Sequence, residues 1–88
     1  MNHKYVKFID DYEFMKWCDI HRENHEVVNM RYAYLLVYQQ GLTRPEAAHE
    51  MGVQNGAVYR RISKYMEAVE EYIRERDALK HRNNDFKL

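Results

Sequence analysis

The sequence predicts an all-α fold of four to five helices with a long C-terminal helix. Glycine occurs three times and proline once in 88 residues, so few breakers interrupt the chain. Apolar residues recur at spacings of three and four, the period of an α-helix. From Asn55 no breaker appears until about Asn83, and at 1.5 Å per residue this run makes a helix of roughly 40 Å. The length fits one domain, residues 1–88.

Two helices are predicted before the most informative stretch. Asp10 followed by Glu13 has capping-box spacing, which indicates a helix over about residues 11–22. The polar run at residues 22–26 then ends this helix. A further helix is predicted over about residues 25–40, ending at Gly41. We expect its apolar face to be formed by residues at helical spacing, namely Val28, Tyr32, Leu35 and Leu36, with Tyr34, Val37 and Tyr38 widening the apolar belt.

Cys18, His21 and His25 have a spacing that places three metal-competent side chains on one side of a continuous helix. Zinc would need a fourth ligand, and none is evident nearby. Because the polar run interrupts the helix between His21 and His25, we expect no metal site. A single cysteine excludes an internal disulfide and suits a reducing cytoplasm. No cofactor, small-molecule substrate or catalytic arrangement is evident, so we expect no enzyme activity.

Segment 42–62, LTRPEAAHEMGVQNGAVYRRI, begins with a strongly specified short helix. Thr43 and Glu46 have the spacing of a capping box, and Pro45 suits the first turn of a helix. Gly52 is suited to the left-handed residue that ends a helix. These signals predict a helix that starts after Thr43 and stops at Gly52.

A second helix is predicted to begin near Asn55, with Val58 and Ile62 on its inner face. Two helices joined by a short turn with glycine, with small Ala48 where they approach, are typical of a helix-turn-helix. An ordinary helical hairpin is the alternative. The cap, the turn and the apolar spacing fall in register over the whole segment, which favours the helix-turn-helix and therefore DNA binding.

Charge is distributed unevenly, although the formal net charge is zero. Residues 31–66 contain five basic and two acidic side chains. Residues 1–30 contain four and six, and residues 67–88 contain five and six. A phosphate backbone responds to the local field, so the positive excess on the motif supports double-stranded DNA as the partner.

The outer side of the second motif helix, opposite Val58 and Ile62, is the predicted reading surface. Asparagine and glutamine bond bidentately to adenine and arginine to guanine, whereas other cations and hydroxyls contact phosphates. The helix should leave the DNA before Glu67, whose charge repels phosphate. The predicted DNA-binding residues are Thr43, Arg44, Gln54, Asn55, Gly56, Tyr59, Arg60, Arg61, Ser63 and Lys64.

The extension of this helix, residues 63–82, continues the apolar seam beyond what the motif requires. Either a second copy covers the seam, which would make the protein a homodimer or oligomer, or the N-terminal helices of the same chain fold over it. The residues assigned to oligomerisation on the first alternative are Tyr65, Val69, Tyr72, Ile73, Arg76 and Leu79. No membrane span or signal peptide is evident.

Segment 35–66 resembles the PapB-type regulators of bacterial adhesin operons and is similar to the TrfB/KorA plasmid repressors and to the promoter-binding region of sigma factors. The matching features are Gly41 to Thr43, the Glu46 to Ala48 helix start, Gly52 with Val53, Asn55 with Gly56, and Val58 with Ile62. The resemblance implies transcriptional control by an oligomer on operator DNA, read by residues 54–56, Tyr59 and Arg60. The alternative is a small phage or plasmid protein whose helix-turn-helix scaffold binds a host protein such as RNA polymerase.

Overall fold

The protein is all-α, as the computed structural model shows for residues 3–86, with side chains described for residues 4–80. No strand occurs in this part of the chain, and none of its helices is long and apolar enough to span a membrane. Five α-helices follow one another, and the third continues as a π-helical segment. Their bounds are α1 His3–Val6, α2 Tyr12–His21, α3 Asn24–Tyr34 with the π-helical segment Leu35–Gln39, α4 Arg44–Met51 and α5 Asn55–Phe86.

Helix α2 starts one residue later than the predicted capping box implied. The residue that caps it is Asp11, whose Oδ1 accepts a hydrogen bond of 2.9 Å from the Phe14 N–H. Asp10 therefore lies outside the helix. At the other end the Arg22 N–H donates to the Cys18 carbonyl at 2.8 Å, and the chain then turns into α3.

The predicted apolar face of residues 25–40 was correct at its C-terminal end, where Leu36 is buried and Leu35 packs against the core, and wrong in its first half. Val28 and Tyr32 are 53% and 41% exposed, whereas the buried residues are Val27, Met30, Ala33 and Tyr34. Both sets recur at helical spacing, so periodicity alone does not choose between them. The packing of α3 against α5 determines which set is buried, and it places Val27, Met30, Ala33 and Tyr34 in the core.

Helix α5 is the centre of the fold, and the other elements pack around its buried stripe. That stripe consists of Val58, Ile62, Tyr65, Ala68 and Val69. Helices α3 and α4 cover its first half, and an aromatic cluster from the N-terminal part of the chain covers its second half. The ring of Phe14 lies 5.9 Å from Tyr65 and 5.4 Å from Tyr72, centroid to centroid, in edge-on contact.

The seam of the extension is covered largely by the chain's own N-terminal helices. Tyr65 and Val69 are 0% exposed within the single chain, so these two side chains of the predicted seam are not accessible to a second copy. Tyr72 is half-buried against Phe8 and Phe14, and the Arg76 guanidinium lies 5.9 Å from the Phe8 ring. Ile73 is half-buried against the core, and Leu79 is 58% exposed.

Acidic side chains of α5 reinforce this cover through polar contacts. Glu70 accepts hydrogen bonds from the Lys4 ammonium at 2.5 Å and the Tyr5 hydroxyl at 2.7 Å. Glu71 pairs with Arg22 at 2.5 Å. Both lie on segment 63–82, for which a second copy or the chain's own N-terminal helices were the two alternative covers. For this stretch the folded-back alternative is therefore what the chain adopts.

Candidate nucleic-acid interface

Helix α4 begins with the predicted capping box. The Thr43 hydroxyl accepts from the Glu46 N–H at 3.3 Å, and the Thr43 N–H donates to Glu46 Oε1 at 2.8 Å. The Thr43 N–H, together with the Thr43 hydroxyl that lies 3.0 Å from the same carboxylate oxygen, favours the ionised form and lowers the pKa of Glu46. Because the side chains of Thr43 and Glu46 both take part in the capping box, local hydrogen bonds fix the start of α4.

The turn between α4 and α5 is built on Gly52, as predicted. Its φ is 69°, in the left-handed region, and its N–H donates to the His49 carbonyl at 3.2 Å. The Val53 N–H donates to the Ala48 carbonyl at 2.9 Å, which completes a Schellman motif. Ala48 is buried where the two helices approach. Three residues therefore redirect the chain from one motif helix to the next.

The first two turns of α5 expose the side that was predicted to read bases. Val58 is fully buried, whereas Asn55, Gly56 and Arg60 are exposed. A Cβ added at Gly56 would meet only the Arg60 side chain, at an ordinary 3.5 Å. The fold therefore tolerates a larger residue at position 56. Because glycine has no side chain, the backbone of α5 is exposed at this position.

A depression between α4 and α5 flanks this side of the helix. It is lined by Arg44, Pro45, Asn55, Gly56, Tyr59 and Arg60. The Arg44 guanidinium lies over the Tyr59 ring, 5.6 Å from its centroid, and the ring remains 59% exposed. This contact holds a cation beside the second motif helix.

A second depression lies on the other flank, between α3 and α5. Arg60, Arg61 and Lys64 line it from α5, and His25, Glu26 and Asn29 line it from α3. Lys64 Nζ lies 3.2 Å from Glu26 Oε1. Since Arg60 borders both depressions, it occupies the ridge between them.

The ten predicted residues do not all belong to one surface. Gln54, Asn55, Gly56, Tyr59 and Arg60 are exposed together at the start of α5. Thr43 is exposed but its side chain is used in the cap. Ser63 is half-buried between two grooves. It lines one with Arg44 and Tyr59, and the other with Glu67, Glu70, Glu71, Arg22 and Arg74.

The sequence did not indicate the three polar α3 residues that line the second depression. His25, Glu26 and Asn29 are distant from the motif along the chain and reach it only because α3 packs along α5. No local motif carries that information. The excess of cations at positions 60, 61 and 64 was the signal that pointed to this flank.

The candidate metal ligands do not converge. Cys18 is buried, and burial raises the pKa of its thiol to about 11. The His21 ring stacks on Trp17 with 4.5 Å between centroids, and His25 lies in the next helix beside Glu23. Within the described side chains, no group of three or more such residues is placed to hold a metal ion.

Comparison with protein-family models, with curated proteins and with solved structures gives no match for this chain. The resemblance of segment 35–66 to bacterial and plasmid regulators therefore stays a prediction. Helices α3, α4 and α5 together form the surface that carries both depressions.

Proposed function

We propose that this protein binds double-stranded DNA through its helix-turn-helix and regulates transcription from operator DNA in the cytoplasm. The observation that carries the proposal is the outer side of α5, where Asn55, Gly56 and Arg60 are exposed between two depressions that hold further cations. An α-helix of this kind fits the major groove, whose width admits one helix. The first acidic residue on this side after Arg60 is Glu67.

The side chains fall into two roles on this proposal. Gln54, Asn55 and Arg60 carry the donors and acceptors that distinguish base pairs, and Gly56 lets the backbone approach the bases. Arg44 and Arg61 lie on the two flanks, where they contact phosphates and set the register without reading sequence. Tyr59, held by Arg44, offers an aromatic surface beside the first flank.

We propose further that two or more copies act together on an operator. One motif helix reads few base pairs, and a two-fold pair would place two reading helices about 34 Å apart, one turn of DNA. Because Tyr65 and Val69 are inside the chain, the interface has to use other surfaces. The distal part of α5, where Leu79 is exposed, is the remaining part of the predicted seam. Sedimentation at micromolar concentration, with and without duplex, distinguishes a dimer from the 10.8 kDa monomer.

A fluorescence-anisotropy titration with a random duplex, repeated across a salt series, tests DNA binding. The logarithm of the association constant should fall linearly with the logarithm of salt concentration, by about 0.9 per phosphate contacted. Selection from a randomised duplex pool then tests for a preferred sequence. Absence of salt-dependent binding, or binding without any enriched sequence, would contradict a sequence-specific regulator.

A second candidate function is binding to a host protein such as RNA polymerase. The observation that favours it is the exposed apolar pair Val28 and Tyr32 on α3, one helical turn apart and away from the motif. A protein partner would bury these two side chains, whereas DNA would not. Val28→Ser and Tyr32→Ser should leave DNA titrations unchanged and should abolish polymerase binding if this function applies.

A further inference from the structure

The depression between α3 and α5 combines three cations with one carboxylate. Arg60 and Arg61 form no ion pair among the described side chains, and Lys64 is paired with Glu26 alone. Two positive charges are therefore in excess within one concave surface. Asn29 adds an amide and His25 an imidazole at its rim. Guanidinium forks and ammonium donors suit the tetrahedral oxygens of a phosphate.

We propose that this depression is a phosphate-binding site for the DNA backbone, in which Glu26 competes with the phosphate for Lys64. The inference rests on the proposed function for the source of the phosphate, and it extends the interface from the motif to α3. The opposite flank of α5 has its own cation, Arg44. With Arg60 on the ridge between them, the two depressions are placed to receive the two strands that border a major groove.

Glu26 limits the affinity on this proposal because the carboxylate occupies Lys64 in the free protein. The pair is 3.2 Å long and both side chains are accessible to water. Ion pairs of this kind are weak, so a backbone phosphate displaces the carboxylate. The displaced carboxylate then remains beside the phosphate and repels it.

The first experiment compares Glu26→Gln with wild type in duplex titrations over a salt series. The variant should bind about two- to fivefold more tightly, the range of an exposed ion pair. Its salt slope should stay close to that of wild type, because Lys64 contacts the same phosphate in both proteins. Glu50→Gln makes the same charge change on the exposed surface of α4 and should change neither quantity. Equal behaviour of Glu26→Gln and wild type, or equal gains in both variants, would overturn the proposal.

The second experiment removes DNA from the test. Inorganic pyrophosphate is titrated into the labelled wild-type protein, and backbone and Asn29 side-chain amide shifts are followed by NMR. The proposal requires shifts at Asn29 and Arg61 that Arg61→Gln abolishes and Arg74→Gln, on the acidic part of α5, retains.

The two experiments separate failure of this site from failure of the proposed function. Duplex binding without a pyrophosphate response and without an effect of Glu26→Gln would overturn the phosphate site and leave DNA binding intact. A pyrophosphate response at these residues without duplex binding would support the phosphate site but reject the DNA backbone as its source.

Discussion

The Tyr65 hydroxyl donates a hydrogen bond of 2.6 Å to the Tyr5 carbonyl, which joins the middle of α5 to α1 across the core. Tyr65 is fully buried, and its ring lies 4.5 Å from Tyr34 on the opposite side, centroid to centroid. Burial raises the pKa of the phenol, so the hydroxyl stays a donor at neutral pH. Tyr65 therefore contacts both the core beneath the motif and the N-terminal helix α1, which packs on the later part of α5.

Tyr65→Phe should lower the free energy of unfolding by about 0.5–1.5 kcal/mol, because the Tyr5 carbonyl loses its donor. Urea unfolding followed by circular dichroism measures the change. Tyr59→Phe, at an exposed ring, is the matched control and should unfold like wild type. A Tyr65→Phe variant as stable as wild type would mean that the bond contributes nothing to folding.

Stability should fall as the pH rises from about 9 to 11. Burial raises the pKa of Cys18 from 9.0 to about 11, so the unfolded chain releases this proton first and gains stability relative to the folded one. Each unit of difference corresponds to about 1.4 kcal/mol, so the upper limit for Cys18 is roughly 3 kcal/mol. The raised pKa of Tyr65 acts in the same direction at still higher pH.

Urea unfolding at pH 8 and pH 10.5, under reducing conditions, measures this effect. Cys18→Ala removes one of the two groups and should flatten the dependence while retaining the part due to Tyr65. An identical loss of stability in wild type and Cys18→Ala would exclude the thiol as its cause.

Gly52→Val should destabilise the fold by more than about 1 kcal/mol, because φ of 69° is costly for a branched residue. No atom lies within 4 Å of the position that a Cβ would occupy, so the penalty comes from the backbone and not from a clash. Thermal unfolding compared with Gly52→Asn, which tolerates this conformation better, measures it. Equal melting temperatures for Gly52→Val and wild type would contradict the left-handed turn.

Local features of the motif were predictable from the sequence. The capping box of Thr43 and Glu46 and the left-handed turn at Gly52 depend on hydrogen bonds and dihedral angles within six residues. The buried stripe from Val58 to Val69 was also predicted, because a long helix with one apolar seam has a single direction to bury. These features do not require knowledge of any distant part of the chain.

Features that depend on distant contacts were not predictable in the same way. The face of α3 was assigned to Val28 and not to Val27, since both patterns fit a helix and only α5 distinguishes them. The cover of Val69 was left open between two alternatives for the same reason. Glu26 became part of the candidate interface only when α3 and α5 were placed side by side.

Val69→Glu should unfold the protein and not produce a folded monomer. Val69 is fully buried in the single chain, and an unpaired carboxylate there costs on the order of 4 kcal/mol or more. Ile20→Glu, at an apolar side chain of α2 that is 78% exposed, should keep the wild-type melting temperature. A folded Val69→Glu variant with wild-type helicity would show that the seam faces outward in solution.

Arg60→Ala and Asn55→Ala should each weaken binding to a selected operator by about 1–3 kcal/mol, the range of a lost base contact. Both side chains are exposed on the outer side of α5, where they contribute no buried contact, so folding should be unaffected. Arg74→Ala removes an exposed cation from the same helix beyond the acidic residues and serves as the control. Arg60→Ala should also relax the preference at one guanine, whereas loss of a phosphate contact weakens all sequences alike. Equal affinity of wild type, Arg60→Ala and Asn55→Ala for the operator would remove the reading surface from α5, even if non-specific binding persisted.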